Sequence, residues 1–187
     1  MNLPKIPGLA LPSGGYYQFF DPHLSDYTIE DIAHLLAQNN RYNGGCRYPY
    51  SVAQHSVNCS RIVAPQFALE ALMHDAAEFA FGDMTSPLKR RCPEYCGFLE
   101  AGEREISVRF GLPLTMSPEV KLADLQMLKL EKEHLLAAPD AHPQADWPEW
   151  EAYVLDPSVA KLAILSELIW IGARRMFLNR YYELTDG

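Results

Sequence analysis

Apolar residues recur three or four positions apart along most of this chain, and that spacing gives a helix one apolar face. Capping boxes precede two of these stretches, one formed by Thr28 and Asp31 and the other by Ser51 and Gln54. The apolar stripe after the first box consists of Ile29, Ile32, Leu35 and Leu36. The sequence has no alternating strand pattern. These signals predict an all-α protein.

The other helix boundaries are marked by Pro at helix starts and by Gly just past helix ends. A third helix is predicted from about Gln66 to Ala80, where Gly82 stops it. Later helices are predicted to start at Pro93, Pro118 and Pro157. The Pro-rich segment 138–150 is predicted to be a loop before the last helix.

These elements predict one domain over residues 1–187, built as a helical bundle of about six to seven helices. Its motif-bearing core is expected at 28–136, and a C-terminal helix at about 157–182 is expected to pack on that core. No internal repeat or low-complexity tract divides the chain further.

The composition is that of a globular protein, with 48% hydrophobic and 21% charged residues. A formal net charge of −8 argues against a polyanionic partner such as duplex DNA, whose binding needs clustered Lys and Arg. Lys161 and Glu167 interrupt the longest apolar stretch, so no membrane helix is expected. The N-terminal segment is broken by Pro and Gly, unlike a signal peptide. We therefore expect a cytoplasmic protein.

Four cysteines fit a reducing compartment. Cys92 and Cys96 are too far apart in sequence for a C-x-x-C zinc pair, and Cys46 and Cys59 do not supply a second pair. The cysteines are therefore interpreted as packed thiols.

Several ionisable residues fall on faces that are predicted to be buried. His55 shares the apolar stripe of the second helix, and Asp124 shares that of the helix after Pro118. Glu78 lies one turn after His74, and Asp75 is adjacent. A single inward His or Asp is more often a satisfied core residue than a ligand. One divalent cation accounts for all of them together, because imidazole and carboxylate groups bind Zn, Mn, Fe, Co and Ni.

These residues occur in the segments YSVAQHSV, ALMHDAAEFAFGDMTSPLKR and VKLADLQML. In this order the segments resemble the HD superfamily of metal-dependent phosphohydrolases, and the resemblance covers about Thr28 to Leu136. The chain is most similar to bacterial 5'-deoxynucleotidases of the YfbR type and to phage dATP triphosphohydrolases of the DatZ type. The resemblance implies an HD-domain bundle in the cytoplasm of a bacterium or of a phage-infected host. It implies metal ligands at His55, His74, Asp75 and Asp124.

The resemblance also implies roles for neighbouring charged residues. Glu78 is expected to orient or deprotonate the attacking water, and Asp83 matches a nearby acid. Three cations match positions that approach the substrate phosphate, namely Arg41, Lys89 and Lys121.

The expected cofactor is one divalent transition metal ion (Zn, Co, Mn, Ni or Fe), with Mg accompanying a polyphosphate. A single metal is favoured because no histidine lies between Ala76 and Ala123, where dinuclear members of the superfamily insert further histidines.

The segment NNRYNGGCRYPYS has two open interpretations. It is either a loop in which a nucleobase stacks on Tyr42 or Tyr48, or a simple turn between two helices. The related 5'-deoxynucleotidases have an Arg-Trp pair in this region, whereas this chain has Arg41-Tyr42. Selectivity for deoxyribose therefore stays open.

The expected reaction is hydrolysis of a (deoxy)nucleotide at the α-phosphate. The first expectation is a dATP or dNTP triphosphohydrolase that releases deoxynucleoside and triphosphate, and the alternative is a 5'-deoxynucleotidase acting on dNMPs. A non-catalytic nucleotide sensor is a distant alternative, which the presence of Glu78 disfavours. The expected partner is a small nucleotide, without nucleic-acid polymers or membranes, and the chain is expected to form a homo-oligomer.

Overall fold

A computed structural model describes residues 8–136 and 167–186 and confirms the all-α architecture. Eight α-helices lie in these two ranges, and three of them have six residues or fewer. In chain order they are α1 (Ile29–Gln38), α2 (Val52–Ile62), α3 (Ala68–Met73), α4 (Glu78–Phe81), α5 (Ser86–Lys89), α6 (Pro93–Phe110), α7 (Pro118–Leu135) and α8 (Trp170–Thr185).

Both predicted capping boxes are confirmed. The Asp31 N–H donates to Thr28 Oγ1 over 3.3 Å, and Asp31 Oδ2 accepts from the Thr28 N–H over 3.0 Å. Ser51 and Gln54 make the same reciprocal pair at the start of α2. Each pair satisfies two N–H groups that the first helical turn otherwise leaves unbonded.

The helix predicted from Gln66 to Ala80 is divided in the structure. α3 ends at Met73 and α4 begins at Glu78, and the residues between them form tighter turns. The N–H of Ala76 bonds to the carbonyl of Met73, three residues earlier, over 2.9 Å, and the N–H of Glu78 bonds to the carbonyl of Asp75 over 3.0 Å. Such a tightened stretch inside a helix often marks a functional hinge or a sequence under strain. Here it carries His74 and Asp75.

The core is centred on α2, where every residue from Val52 to Ser60 is buried. α2 packs against four other helices, α1, α3, α7 and α8. The main apolar cluster includes Ile32, Leu36, Val57, Leu72 and Phe177. A smaller cluster joins α2, α3 and α7 through Cys59, Ala71, Val120, Met127 and Leu130. Three helices are therefore held closely together at one end of the core.

A small antiparallel hairpin precedes α1 and was not predicted. Strands β1 (Gly8–Ala10) and β2 (Tyr16–Gln18) pair with Leu9 opposite Tyr17. Three residues are too few to show an alternating pattern, which explains why the sequence analysis found no strand. The Tyr17 ring packs edge-on against Phe79, with 5.2 Å between ring centroids, so the hairpin covers α4.

α8 packs against α1, α2 and α3, with Ala173 and Phe177 fully buried. The helix was predicted to run continuously from about 157 to 182, but residues 167–169 are not helical and α8 begins at Trp170. The predicted loop at 138–150 and the predicted helix start at Pro157 lie outside the described residues. Across 8–136 and 167–186, no helix has both the length and the hydropathy needed to cross a bilayer.

Candidate metal centre

Four side chains that are distant in sequence converge between α2, α7 and the turn after α3. His55 Nε2 lies 3.3 Å from His74 Nε2, 3.4 Å from Asp124 Oδ1 and 3.6 Å from Asp75 Oδ2. His74 Nε2 lies 3.2 Å from Asp75 Oδ2. Bonds of about 2.0–2.2 Å from one metal ion to N or O ligands place adjacent ligand atoms roughly 3.0–3.5 Å apart. These four separations, 3.2–3.6 Å, are close to those of ligands that share one cation.

Both histidines turn the same nitrogen towards this cluster. His55 Nδ1 lies 2.7 Å from Glu131 Oε1, and His74 Nδ1 lies 2.8 Å from the carbonyl oxygen of Ala71. Since both partners accept, each Nδ1 carries a proton and donates it. A neutral ring then has its Nε2 lone pair facing the cluster, as in metal-ligating histidines.

The charges in the cluster shift the pKa values of its members in different directions. Burial raises the pKa of Asp75, but His74 and His55 overcome this and lower it below its usual value. Burial also raises the pKa of Asp124, but a hydrogen bond from His55 in its protonated form reverses that effect and lowers the pKa strongly. Burial lowers the pKa of His74, whereas Asp75 raises it above its usual value. The carboxylates therefore stay ionised and attract positive charge.

Glu78 behaves differently from the two ionised aspartates. Burial, followed by repulsion from Asp75 and Asp83, raises the pKa of Glu78 well above its usual range. Its Oε1 lies 3.7 Å from Lys89 Nζ. Its Oε2 is buried and has no hydrogen-bond partner in the described part of the chain. A buried, unsatisfied carboxylate oxygen is uncommon and requires an explanation, which a bound water or substrate would supply.

Each of the three predicted phosphate-contacting cations pairs with an acid of the site. The Arg41 Nη1 lies 3.6 Å from Asp75 Oδ2, and its Nε donates to Glu131 over 2.9 Å. Lys121 Nζ donates to Asp124 Oδ2 over 3.1 Å, and its side chain is 58% exposed. Lys89 contacts Glu78, as described above. Arg41 is therefore a buried member of the site, whereas Lys121 lies at its edge.

The segment with two open interpretations forms a short 3₁₀ turn at Arg41–Gly44. Tyr42 and Asn43 both have left-handed backbone, with φ of 55° and 51°. The Tyr42 hydroxyl donates to Glu131 Oε2 over 3.0 Å, which ties this side chain to α7. Tyr48 is partly buried in the same loop. Asp83 contributes to the raised pKa of Glu78, and its backbone N–H donates to Asn39 Oδ1 over 3.3 Å.

Glu131 is a site residue that the sequence analysis missed. It lies two turns after Asp124 on α7, so the helical periodicity that placed Asp124 inward also applies to it. Its carboxylate is completely buried and accepts from His55, Arg41 and Tyr42. Burial raises the pKa of Glu131, but Arg41 and His55 overcome this and lower it below its usual value.

Cys59 was predicted to be an ordinary packed thiol, but its sulfur lies beside the two histidines of the cluster. Its Sγ is 3.5 Å from His55 Nε2, and His55, Cys59 and His74 each offer a ligand atom within 4.8 Å of the others. These three residues alone form a possible metal-binding group. Burial raises the pKa of the Cys59 thiol, so the sulfur keeps its proton until a cation displaces it.

Solvent reaches the centre from the side of the carboxylates. The side chains of Asp75 and Asp124 are 23% and 21% exposed, whereas His55 is fully buried. A cleft of about 130 Å³ between α3 and α6 reaches His74 and Asp75. Its apolar wall consists of Ile106, Leu112, Leu114 and Met116.

No model of a known protein family matches the chain. The chain is 43% identical over 174 residues to the uncharacterized protein YfdR of Escherichia coli (strain K12), and the alignment covers 93% of each chain. It is also 35% identical over 145 residues to an uncharacterized protein of Rhodobacter capsulatus, covering 69% of this chain and 73% of that protein. The chain therefore belongs to the family of YfdR.

Proposed function

We propose that this protein is a metal-dependent phosphohydrolase that cleaves (deoxy)nucleotides at the α-phosphate. The main observation behind the proposal is a group of four nitrogen and oxygen atoms, one each from His55, His74, Asp75 and Asp124. Four distances, each from a histidine Nε2 to another atom of the group, are 3.2–3.6 Å. The resemblance of the same residues to the HD superfamily supports the reaction class.

A divalent transition ion (Zn, Co, Mn, Ni or Fe) suits this set of two imidazoles and two carboxylates. These four residues would hold it, and when bound it supplies a Lewis acid for a phosphate oxygen and makes a water easier to deprotonate. The Nδ1 bonds to Glu131 and to the carbonyl of Ala71 keep both imidazoles in the orientation that such binding needs.

Glu78 is the proposed general base. A cation held by Asp75 would offset the repulsion that, besides burial, raises the pKa of Glu78, and the ionised carboxylate would then accept the proton of the attacking water at its buried, unpaired Oε2. The water oxygen forms a bond to the α-phosphorus, and the bond between that phosphorus and the sugar 5' oxygen breaks. The leaving oxygen takes a proton from solvent and departs as the nucleoside hydroxyl, and Glu78 returns its proton to solvent. Lys89 and Lys121 stabilise negative charge on the non-bridging oxygens.

The first substrate candidate is a deoxynucleoside triphosphate such as dATP, cleaved to deoxynucleoside and triphosphate. One observation favours the second candidate, a deoxynucleoside monophosphate. All three predicted cations pair with acids, but Arg41 is buried, so Lys89 and Lys121 are the more exposed of the three. One phosphate group needs fewer cations than three.

The test is incubation of the pure protein with a panel of dNMPs and dNTPs in the presence of added Zn²⁺, Co²⁺, Mn²⁺ or Ni²⁺. Release of triphosphate from dNTPs supports the first candidate, and release of orthophosphate from dNMPs supports the second. A protein that binds these metals and nucleotides without turnover would be a sensor. One that binds no metal would contradict the proposal entirely.

A further inference from the structure

One carboxylate on α7 contacts two separate parts of the site. Glu131 Oε1 accepts from His55 Nδ1 over 2.7 Å, and Glu131 Oε2 accepts from Arg41 Nε over 2.9 Å and from Tyr42 Oη over 3.0 Å. Glu131 itself is completely buried. A carboxylate taken out of water costs several kcal/mol unless donors compensate it. Both of its oxygens are compensated here.

The turn at Arg41–Gly44 depends on contacts with α7. Besides the two side-chain bonds to Glu131, the Arg47 N–H donates to the carbonyl of Leu135 over 2.8 Å. Left-handed backbone at Tyr42 and Asn43 costs about 1–3 kcal/mol for each residue and persists only where the surroundings enforce it. Glu131 binds this strained turn through two of its side chains, those of Arg41 and Tyr42.

We infer that Glu131 is a positioning residue that couples the metal centre to the Arg41–Tyr42 turn. Through Oε1 it fixes the ring orientation and tautomer of His55, and through Oε2 it fixes Arg41 and Tyr42. The inference rests on the proposed function in one respect, namely that the cluster binds a metal ion. Coupling between two sites is reciprocal. A change at the turn should therefore alter the His55 ring, and metal binding should alter the conformation of the turn.

The first test is Glu131→Gln, with Glu133→Gln as the matched control, because Glu133 is exposed two residues later on the same helix. A glutamine in this site has one acceptor oxygen and an amide that faces donors, so it cannot satisfy all three partners. We expect about 10- to 100-fold weaker Zn²⁺ affinity, measured by competition with a chelator, and an altered ¹⁵N spectrum of the His55 ring. The control should match the unmodified protein in both measurements.

The second test leaves the carboxylate in place and so does not depend on Glu131→Gln folding. Tyr42→Phe removes only the hydroxyl that donates to Glu131. If the coupling exists, this change shifts the ring ¹⁵N signals of His55 in the metal-free protein. It should also change how Zn²⁺ shifts the backbone signals of residues 41–45.

The outcomes separate this inference from the proposed function. If the unmodified protein binds none of Zn²⁺, Co²⁺, Mn²⁺ and Ni²⁺, the proposed function fails. If it binds Zn²⁺ and Glu131→Gln binds with equal affinity, the coupling is wrong while the proposed function stands. Unchanged His55 signals in Tyr42→Phe would overturn the coupling in the same way, even if Glu131→Gln does not fold.

Discussion

The Nε2 atoms of His55 and His74 lie 3.3 Å apart, while the Nδ1 atom of each ring is bonded to an oxygen acceptor. Two imidazole lone pairs that face each other repel unless a proton or a cation lies between them. Asp75 and Asp124 add negative charge at the same place. A metal ion bound to both Nε2 atoms would remove this repulsion and balance the charge of the two carboxylates.

Alanine substitutions at the four proposed ligands should each remove bound metal. His55→Ala, His74→Ala, Asp75→Ala and Asp124→Ala delete one ligand atom each, so metal content and turnover should fall together, as measured by elemental analysis and product release. His134→Ala is the control, since His134 is exposed near the end of α7. Full metal content and activity in Asp124→Ala would show that α7 does not contribute a ligand.

Glu78→Gln should abolish most of the turnover without loss of metal. Glutamine keeps the size of the side chain but cannot take a proton from water, and removal of a general base typically costs about 100- to 10,000-fold in rate. Turnover, metal stoichiometry and nucleotide affinity should be measured on the same preparation. Glu100→Gln, an exposed position on α6, is the control. Loss of metal in step with activity would make Glu78 a ligand instead.

The nucleotide affinities of Lys89→Ala and Lys121→Ala should distinguish a triphosphate substrate from a monophosphate substrate. If the substrate is a triphosphate, both changes weaken triphosphate binding more than monophosphate binding, because more negative charge depends on them. The smaller loss is expected for Lys121, whose side chain is 58% exposed and screened by solvent. Binding of matched dNMP and dNTP pairs measures the difference, with Arg104→Ala as a surface control. Equal losses for both ligands would favour the monophosphatase.

Asp31→Asn should lower the free energy of unfolding at neutral pH, and this loss should be smaller at acidic pH. The Asp31 carboxylate accepts from the backbone N–H and hydroxyl groups of Ser13 and Thr28 over 2.7–3.2 Å. Burial raises the pKa of Asp31, but these bonds overcome it and lower the pKa below its usual value. The stabilisation is therefore present above the unfolded-state pKa and is lost as the pH falls through the lower folded-state pKa.

Urea unfolding at pH 7 and at pH 3 measures this effect. At pH 7 we expect a loss of about 1.5–3 kcal/mol, the range for hydrogen bonds to a charged group. The difference between the variant and the unmodified protein should shrink at pH 3. Asp21→Asn, an exposed position before α1, should change stability little at either pH. A difference for Asp31→Asn that does not vary with pH would show that the carboxylate charge is unimportant.

The helices at the core were predictable because their signals are local. The capping boxes of α1 and α2 and the prolines that start α6 and α7 act within one turn, so the sequence alone determines them. The inward positions of His55, His74 and Asp124 follow from the same periodicity. The all-α class and the inward positions of these three residues could therefore be predicted from the sequence alone.

Other features depend on residues that meet only after folding. The division between α3 and α4 was not predicted, because nothing in the local sequence distinguishes the tighter turns at His74 and Asp75 from a continuous helix. The short hairpin was missed because its strands are held by Tyr17 packing on the core rather than by a pattern of their own.

Glu131 shows most clearly the difference between what local sequence predicts and what only the folded structure shows. On a helix, periodicity indicates that a residue faces inward, but it does not indicate which groups from other segments will meet it. Its partners, His55 and Arg41, lie 76 and 90 residues away along the chain. The sequence by itself determined the helices and the residues that face the core. Only the tertiary structure decided which buried charges pair, because burial of a carboxylate is tolerated only where donors from distant segments come together.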